Sequence, residues 1–520
     1  MELVSVVAAF IFCIILTYSA FIAKFGAVFQ QCGYRSGEYF CCFKRALKGE
    51  IATLVFCALC LFVFSLAILT IKKAWLAAAV NLAFCACVAV AYKRNLKIRV
   101  KAKFTARYSR ITLVGFVLYA ACCFAAGYIV YRSCKRLAAP FAAVAAASAF
   151  VPSFLPLGAL ACYPYDAFSY RRSIGKTRKL LAERKDMLII AVTGSFGKTT
   201  VKNYLFELLS LKYVVEKTPE SYNTPLGVAI AAKNIKPQTE IFIVEMGARR
   251  RGDITELCSI ARPDATVLTG VTAQHLETFG TLDAIVKEKA AAVEAVRRGG
   301  FAVIADETDA GRRIYSAARC EKWLVGDGND CAVRVEDVEI TENGSKFTLI
   351  YRGERSVITA PFYGRHNVTD FALAFATAMR LGVDKNAIIR KAASLRPPAH
   401  RFSVSKTAAG VTVIDDGYNA NAEGVKYGAQ CLKYFGGRKF VVFSGIAEGG
   451  AQAKTLNREA GKILYENCDF LIAVGRFADY ILADATGRKA EDLSAARQIL
   501  ETEVKKGDVV AFFSDLPDRY

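Results

Sequence analysis

The residues whose types and spacing best suit chemistry lie between positions 194 and 200, which read Gly-Ser-Phe-Gly-Lys-Thr-Thr. Glycines allow backbone N–H groups to turn towards an anion at the start of a helix, where the helix dipole also favours negative charge. Lys198 can then reach the β- and γ-phosphates of a nucleotide, and the Thr199 hydroxyl can bind Mg²⁺. Val192 stands where the commonest phosphate loop has its first glycine, so the alternative is a strand-to-helix turn without a ligand. We predict that the nucleotide is bound by Gly194, Ser195, Gly197, Lys198, Thr199 and Thr200.

A carboxylate and three histidines are the next candidates. Glu245 ends an apolar run and would lie at the edge of a sheet where ligands of open α/β folds bind. There it can serve as a Mg²⁺ ligand, although a glutamate at the end of a strand can also be merely solvated. The histidines of the chain, His275, His366 and His400, all fall in loops beside glycine, proline or acidic residues. One loop histidine usually has no special role, but all three near one predicted cleft favour a functional site.

The elements that must position these residues are short apolar runs that alternate with helical patterns. Strands are predicted at 187–192, 241–245, 265–269 and 301–305, and again at 411–414, 439–444, 470–474 and 508–513. Such alternation is typical of mostly parallel sheets covered by helices. Residues 330–361 instead predict hairpins, at Asn343-Gly344 and Arg352-Gly353. We therefore predict an α/β fold, with a P-loop-type parallel-sheet ATPase domain at 187–396 and a smaller Rossmann-like domain at 397–520.

The N-terminal third has a different composition. Residues 1–186 hold 25 of the 69 Lys and Arg but only 6 of the 47 Asp and Glu, so most of the net charge of +22 lies there. The remainder is nearly neutral, which argues against nucleic acid as a partner. Apolar runs at about 3–23, 51–71, 74–92, 111–131 and 138–162 are each long enough to cross a hydrocarbon core of about 30 Å. We predict an all-helical membrane domain at 1–165, followed by a basic linker at 166–186.

Basic residues in the predicted connections indicate the orientation of this membrane domain. They are abundant after the first, third and fifth apolar runs and sparser after the second and fourth. Cytoplasmic loops carry an excess of Lys and Arg, so five spans would place residues 165–520 in the cytoplasm. The protein is then a multi-pass membrane protein whose basic loops contact anionic lipid.

Seven motifs, taken in order, resemble the ATP-dependent Mur ligases of peptidoglycan synthesis. They are TGSFGKTTV, YNTPLG (222–227), VEMGA (244–248), HLETFGTLDAIVKEKA (275–290), GRHNV (364–368), HRF (400–402) and DDGYNAN (415–421). The resemblance covers about 187–520, and it implies formation of an amide bond through an acyl phosphate. The expected reaction is the addition of D-Ala-D-Ala to UDP-MurNAc-tripeptide, with ATP and two Mg²⁺ ions.

The resemblance also implies roles for individual residues. Lys198 would hold the transferring phosphates, Thr199 the first Mg²⁺, and Glu245 with His275 the second. Lys289 resembles the family's carbamylated lysine, which is a metal ligand; Lys287 is its rival, and an ordinary surface lysine is the alternative. The catalytic residues would thus be Lys198, Lys289 and His275. The nucleotide would further contact His366, Asn367, Arg401 and Asp416, and the substrates would contact Asn223, Thr224, Tyr418, Asn419 and Asn421.

Departures from the family pattern concentrate on the substrate side. Five apolar runs stand where the family has a domain that binds the uridine nucleotide. Gly417 and Ala422 replace a serine and a proline, and the expected Asn-Ala-Asp is only Ala305-Asp306. Two other hypotheses therefore stay open: a lipid-linked or different carboxylate donor, and a pseudo-ligase that binds nucleotide and acts as a scaffold for enzymes of cell-wall synthesis. The sequence predicts neither the acceptor amine nor the oligomeric state.

Overall fold

The structure is a computed structural model. It describes residues 2–37, 39–40, 102–135, 140–141, 144, 147, 150–220, 222–272, 276–341, 343–417, 420–447 and 452–513. Contacts separate two compact units, Met1–Tyr170 and Arg171–Pro517.

Three long helices are described in the N-terminal part of the chain. They are α1 (Glu2–Gln31), α2 (Ala106–Cys134) and α3 (Val151–Glu183). Two glycines allow α2 and α3 to pack closely: a Cβ atom at Gly115 would lie 2.8 Å from the carbonyl oxygen of Phe154, and one at Gly158 would lie 2.6 Å from that of Ile111. Small residues permit this close approach of two helix backbones.

The five predicted membrane spans have different outcomes. Ala106–Ser133 is long and apolar enough to cross a membrane, with a mean hydropathy of 2.2. The run at 3–23 lies in α1, where the apolar stretch Val6–Ser19 is shorter. The runs at 51–71 and 74–92 lie outside the described residues, and the run at 138–162 is described only in part. Within the described ranges one candidate span is present, so a domain of five spans is not supported.

The second unit contains a nine-stranded sheet. Its strands are β1 (Leu188–Thr193), β2 (Val215–Lys217), β3 (Ile241–Glu245), β4 (Ala265–Leu268), β5 (Phe301–Ala305), β6 (Glu321–Gly326), β7 (Val333–Thr341), β8 (Gly344–Tyr351) and β9 (Glu354–Ala360). Their order is β2-β3-β1-β4-β5-β6-β7-β8-β9, parallel up to β7 and antiparallel from β7 to β9. In the register of the centre, Ile190 pairs with Ile243 on one side and with Ala265 on the other. After β1 the chain forms β2 and β3 on one side of it and then crosses to form β4 on the other side. Ligands of open α/β sheets bind at such a switch point.

Helices cover this sheet, and four of the eight begin at a side chain that caps them. They are α4 (Lys198–Leu209), α5 (Pro225–Lys233), α6 (Asp253–Ala261), α7 (Leu276–Phe279), α8 (Leu282–Glu294), α9 (Asp309–Ala317), α10 (Arg365–Arg380) and α11 (Lys385–Ala392). Thr224, Thr281, Thr308 and Asp384 each accept a hydrogen bond from a backbone N–H in the first turn. In contrast, α4 begins at Gly197 without a side-chain cap, so N–H groups at its start remain available to a ligand.

A six-stranded sheet follows in the same unit. Its strands are β10 (Ser403–Lys406), β11 (Thr412–Asp415), β12 (Lys439–Phe443), β13 (Phe470–Val474), β14 (Arg488–Ala490) and β15 (Val509–Phe512). Their order is β10-β11-β15-β12-β13-β14, and all neighbours are parallel except β10 and β11. The accompanying α-helices are α12 (Ala422–Cys431), α13 (Ala453–Tyr465), α14 (Ala478–Ile481) and α15 (Leu493–Glu503).

The predicted α/β fold with mostly parallel strands is confirmed, as are the hairpins after residue 330. The strands that the sequence did not indicate are β2, β6, β10 and β14. These strands are only partly buried and therefore contain polar residues. The polar residues interrupt the apolar runs from which strands are predicted. The domain boundaries at 165, 186 and 396 stay predictions.

Candidate active site

The loop at 194–200 connects β1 to α4, as the sequence predicted, and its backbone depends on two glycines. Gly194 has a φ of +149° and Gly197 a φ of +78°, both in the range that favours glycine. Ser195 fixes the loop to the next strand, since its N–H donates to the carbonyl oxygen of Gly270 at 2.8 Å and its Oγ accepts from the N–H of Thr272 at 3.0 Å. The loop is thus held open at the start of α4.

Lys198 lies over this loop. Its Nζ donates to the carbonyl oxygens of Gly194 at 2.8 Å and of Ser195 at 2.9 Å. The positive charge is therefore placed at the N-terminus of α4, where the helix dipole already favours an anion. This arrangement suits a polyphosphate.

Glu245, at the end of β3, is the centre of a buried polar cluster. It is 1% exposed; its Oε2 accepts from the Thr199 hydroxyl at 3.0 Å and lies 2.9 Å from Lys202 Nζ. Its Oε1 accepts from Asn223 Nδ2 at 3.1 Å. Burial works to raise the pKa of Glu245, but the charges of Lys202 and Lys198 outweigh it, so the pKa lies below its ordinary value. The carboxylate is therefore ionised at neutral pH.

This oxygen set fits a magnesium ion. A hydroxyl and an ionised carboxylate are the hard oxygen ligands that Mg²⁺ prefers, and Thr199 and Glu245 supply them at one point. A second group, Asp306, Asp330 and Cys331, is also close enough to hold an ion. Arg312, however, already pairs with both of those carboxylates, at 2.5 Å and 2.9 Å.

Lys289 and Lys287 are clearly distinguished by their position on α8. Lys287 is exposed, whereas Lys289 is 4% exposed. Burial, reinforced by the charge of Lys198, lowers the pKa of Lys289 to about 7, although Glu288, Asp253 and Glu245 oppose the shift. A substantial fraction of this amine is therefore neutral at physiological pH, which is the form that reacts with CO₂.

Five of the predicted substrate and metal residues have local roles or cannot be placed. His275, Tyr418 and Asn419 lie outside the described residues. Thr224 caps α5, and Asn421 caps α12 by accepting from the N–H of Gly424 at 2.9 Å. Asn421 also lines the cleft beside the phosphate loop. It therefore both caps α12 and lies at the site.

The remaining predicted nucleotide residues meet in that cleft. Its lining includes Thr200, His366, Asn367, Arg401 and Asp416. Thr200 follows the phosphate loop, and Asn367 is buried with its Nδ2 donating to the carbonyl oxygen of Tyr363 at 2.8 Å. Arg401 Nη2 donates to the Thr199 hydroxyl at 3.4 Å. The region of the six-stranded sheet therefore reaches the phosphate loop through Arg401.

His366 and Asp416 are titratable groups on the wall of the cleft. The His366 ring stacks on Tyr427 with 6.0 Å between centroids, and no described group pairs with its Nδ1. Burial lowers the pKa of His366 to about 4, so the ring is neutral above that pH. Asp416 accepts from the N–H of Phe402 at 3.1 Å, and burial raises its pKa to about 6 although Arg401 opposes the shift.

Three charged residues of the site were missed by sequence reasoning: Lys202, Asp370 and Glu307. Burial raises the pKa of Asp370 well above its ordinary value, with Glu307 adding to the effect, and burial raises the pKa of Glu307 to about 7. A signal existed for two of them, because residues four apart share one face of a helix. Lys202 follows Lys198 and Asp370 follows His366 at that spacing.

Comparison with known families matches both parts of the second unit. The model of the Mur ligase middle domain matches residues 192–378, and that of the Mur ligase glutamate ligase domain matches residues 400–516. A UDP-N-acetylmuramoyl-tripeptide–D-alanyl-D-alanine ligase from Mycobacterium leprae is 30% identical over 364 residues, covering 62% of this chain and 70% of the relative. The enzyme of the same name from Bacillus subtilis is 27% identical over 335 residues, covering 62% and 72%.

Solved structures give the same result for the fold. The MurF ligase from Thermotoga maritima, crystallised in complex with ADP, is similar with a TM-score of 0.62 and 30% identity, covering 68% of this chain and 81% of that one. A MurF structure from Acinetobacter baumannii has a TM-score of 0.62 and 26% identity, covering 66% and 77%.

Proposed function

Because this chain belongs to the Mur ligase family, whose members are ATP-dependent ligases that form carbon–nitrogen bonds, we propose that it adds D-Ala-D-Ala to UDP-MurNAc-tripeptide in peptidoglycan synthesis. One observation carries the proposal. Four side chains from α4, from β3 and from the loop before α5 converge at the ends of β1 and β3. They are Lys198, Thr199, Glu245 and Asn223. The substrates are taken from the names of the relatives.

The phosphate loop binds and activates ATP. A carboxylate oxygen of the donor attacks the γ-phosphorus, the bond to the β-phosphate oxygen breaks, and ADP leaves. Lys198 and the N–H groups at the start of α4 offset the negative charge of the transferring group. Mg²⁺, held by Thr199 and Glu245, would offset further charge on the phosphates. The proposal includes two Mg²⁺ ions, with His275 as a ligand of the second.

The acyl phosphate then reacts with the amine of D-Ala-D-Ala. The nitrogen attacks the acyl carbon, the amine loses a proton, and inorganic phosphate leaves from a tetrahedral intermediate. Arg401 lies beside Thr199 and is suited to stabilise charge on the phosphates, while Asp416 faces the nucleotide. Both come from the region after residue 400, so the approach of the two sheet regions completes the site and excludes water.

Lys289 is proposed to be carbamylated. Its neutral amine can add CO₂, which converts a buried cation into an anionic oxygen ligand beside Glu245. Burial favours the neutral amine that reacts with CO₂, and the positive charge of Lys198 would stabilise the anionic product. The product is another oxygen ligand for the metal.

The N-terminal unit is proposed to attach the enzyme to the membrane with the ligase on the cytoplasmic side, where ATP is available. At 1.5 Å per residue, a helix of 28 residues such as Ala106–Ser133 is about 42 Å long. Leu113, Val117 and Ile129 lie exposed on it. Attachment favours a second candidate donor, a lipid-linked form of the same carboxylate.

Mass spectrometry of the product tests these proposals. Purified full-length protein is incubated with ATP, Mg²⁺, D-Ala-D-Ala and either the UDP-linked tripeptide or its lipid-linked form. We expect a product heavier than the donor by D-Ala-D-Ala less one water, and release of one phosphate per product. Lys198→Ala serves as the inactive control. Nucleotide binding without product from either donor would contradict the proposed ligase and favour the scaffold.

A further inference from the structure

Lys202 is a charged residue in the core of the second unit. It lies on α4 and is 1% exposed, among side chains such as Val201, Tyr204 and Leu205 that are fully buried. A buried ammonium is destabilising unless it is paired and hydrogen-bonded. The partners of Lys202 therefore explain why a lysine occupies this position.

Those partners connect two parts of the site. Lys202 Nζ lies 2.9 Å from Glu245 Oε2 and also donates to the carbonyl oxygen of Glu220. Glu220 has a φ of +37°, which a non-glycine residue rarely adopts. The lysine thus joins the end of β3 to the loop at 218–224, of which residues 218–220 and 222–224 are described, at the strained backbone of Glu220.

The same loop contacts Glu245 in two further places. The N–H of Glu245 donates to Thr218 Oγ1 at 3.1 Å, and Asn223 Nδ2 donates to Glu245 Oε1 at 3.1 Å. The carbonyl oxygen of Asn223 accepts from the N–H of Gly247 at 3.0 Å. Glu245 and the loop are therefore held as one assembly, with Lys202 beneath it.

We propose that Lys202 is a positioning residue that fixes Glu245 and the loop 218–224 relative to each other, so that the metal site and the donor site are set together. The proposal rests on the proposed function, in which Glu245 binds Mg²⁺ and Asn223 faces the donor. Lys202 itself touches neither ATP nor the reacting atoms. It acts through the carboxylate and the loop.

Lys202→Met tests this role, because methionine keeps much of the volume but removes the charge and the donor. Loss of positive charge alone would strengthen attraction of Mg²⁺ to Glu245 and lower the half-saturating Mg²⁺ concentration. Loss of positioning has the opposite effect, and residues that orient metal ligands typically change affinity by about tenfold or more. We expect half-saturating Mg²⁺ to rise about tenfold. The Kd of the donor, measured without metal, should rise as well, while the Kd of ADP stays the same.

Lys391→Met is the matched control. Lys391, on α11, pairs at 2.7 Å with Glu207, which lies near the C-terminal end of α4, at a partly exposed site away from the phosphate loop. Its loss should leave both constants unchanged. If Lys202→Met behaves like Lys391→Met, or if it lowers the half-saturating Mg²⁺ concentration, the positioning role is wrong. Wild-type protein without Mg²⁺-dependent turnover would instead contradict the proposed function.

Hydrogen exchange of the wild-type protein provides a second measurement if Lys202→Met does not fold. Because Lys202 links Glu245 to the loop, Mg²⁺ bound without nucleotide should slow exchange in the peptide that covers 218–224. Exchange that is unchanged there at saturating Mg²⁺ would overturn the proposal.

Discussion

At the end of the nine-stranded sheet three charged side chains are almost fully buried, whereas those from the six-stranded sheet region lie half-buried on loops. Glu245 and Lys202 are each 1% exposed and Lys289 is 4% exposed. Arg401 and Asp416 are partly exposed. The first set is preorganised by the core, while the second reaches the phosphate loop through a hydrogen bond from Arg401 Nη2 to the Thr199 hydroxyl at 3.4 Å.

The backbone around Arg401 shows how the second set is presented. His400 and Phe402 have φ values of +61° and +52°, so Arg401 is flanked by two residues in the left-handed region. Phe402 is fully buried and anchors the turn. With the proposed function, the comparison predicts that the nine-stranded region binds the nucleotide and metal, and that Arg401 contributes to the chemical step.

Lys198→Ala has the largest expected effect, because it removes the only loop ammonium whose Nζ is bonded to Gly194 and Ser195 among the described residues. Charge on the transferring phosphate would lose its main protein cation. We expect kcat/KM to fall by about 10³-fold or more in a phosphate-release assay. Lys391→Ala, which removes the partly exposed pair with Glu207, should retain wild-type activity. Equal activity of the two variants would contradict the assignment of the phosphate site.

Arg401→Ala is next, and it separates the two regions directly. If Arg401 acts in the chemical step, kcat should fall by about 10²-fold while the Kd of ADP changes little. Steady-state kinetics and calorimetry measure the two quantities. Arg401→Lys, which keeps the charge but not the planar donors, should recover part of kcat. A loss of ADP affinity as large as the loss of kcat would show that both regions bind the nucleotide.

The same contrast explains which features the sequence could predict. The phosphate loop and the strand before it follow from local pattern, since glycines, Lys198 and a buried apolar run are neighbours in sequence. The Mur ligase resemblance placed Lys289 and Arg401 without showing what surrounds them. Lys202 and Glu307 were missed, because the partner of each is distant in sequence and meets it only after the sheet has formed. Lys202 pairs with Glu245, and Glu307 is hydrogen-bonded to Thr369.

The number of membrane spans shows another limit of sequence reasoning. Apolar runs identify segments that must be buried, but length and composition do not distinguish burial in lipid from burial in protein. In α2 exposed apolar residues such as Leu113 and Ile129 favour lipid, whereas Tyr18 and Phe25 of α1 are buried within the unit.

Lys289 predicts an acid limit to activity. Its pKa of about 7 lies below the ordinary value, so protons bind the amine increasingly as the pH falls through 7 and compete with CO₂. At fixed dissolved CO₂ we expect kcat to fall up to about tenfold between pH 7 and pH 6. Protein in ¹³C-bicarbonate should show a carbamate signal that Lys289→Met lacks and Lys287→Met keeps. A carbamate signal that persists in Lys289→Met would place the modification elsewhere.

His366 has the smallest expected effect, because it contributes to the wall of the cleft and not to the phosphate or metal. Its half-buried ring stacks on Tyr427, and its buried Nδ1 is suited to one neutral hydrogen bond with the base. Such a bond contributes about 1 kcal/mol, so His366→Phe should raise the KM for ATP about fivefold and leave kcat unchanged. Tyr427→Phe, which keeps the stacked ring, serves as the control and should change KM less.

The pH dependence of this KM makes the prediction for His366 sharper. With a pKa of about 4, the imidazole is neutral at all pH values above about 5, and only below that does it gain a proton. The contribution of His366, taken as the ratio of KM between His366→Phe and wild type, should therefore be constant from pH 5.5 to pH 8. A step in that ratio near the ordinary histidine pKa of about 6.5 would mean that the ring is solvated and that the cleft wall is not closed around it.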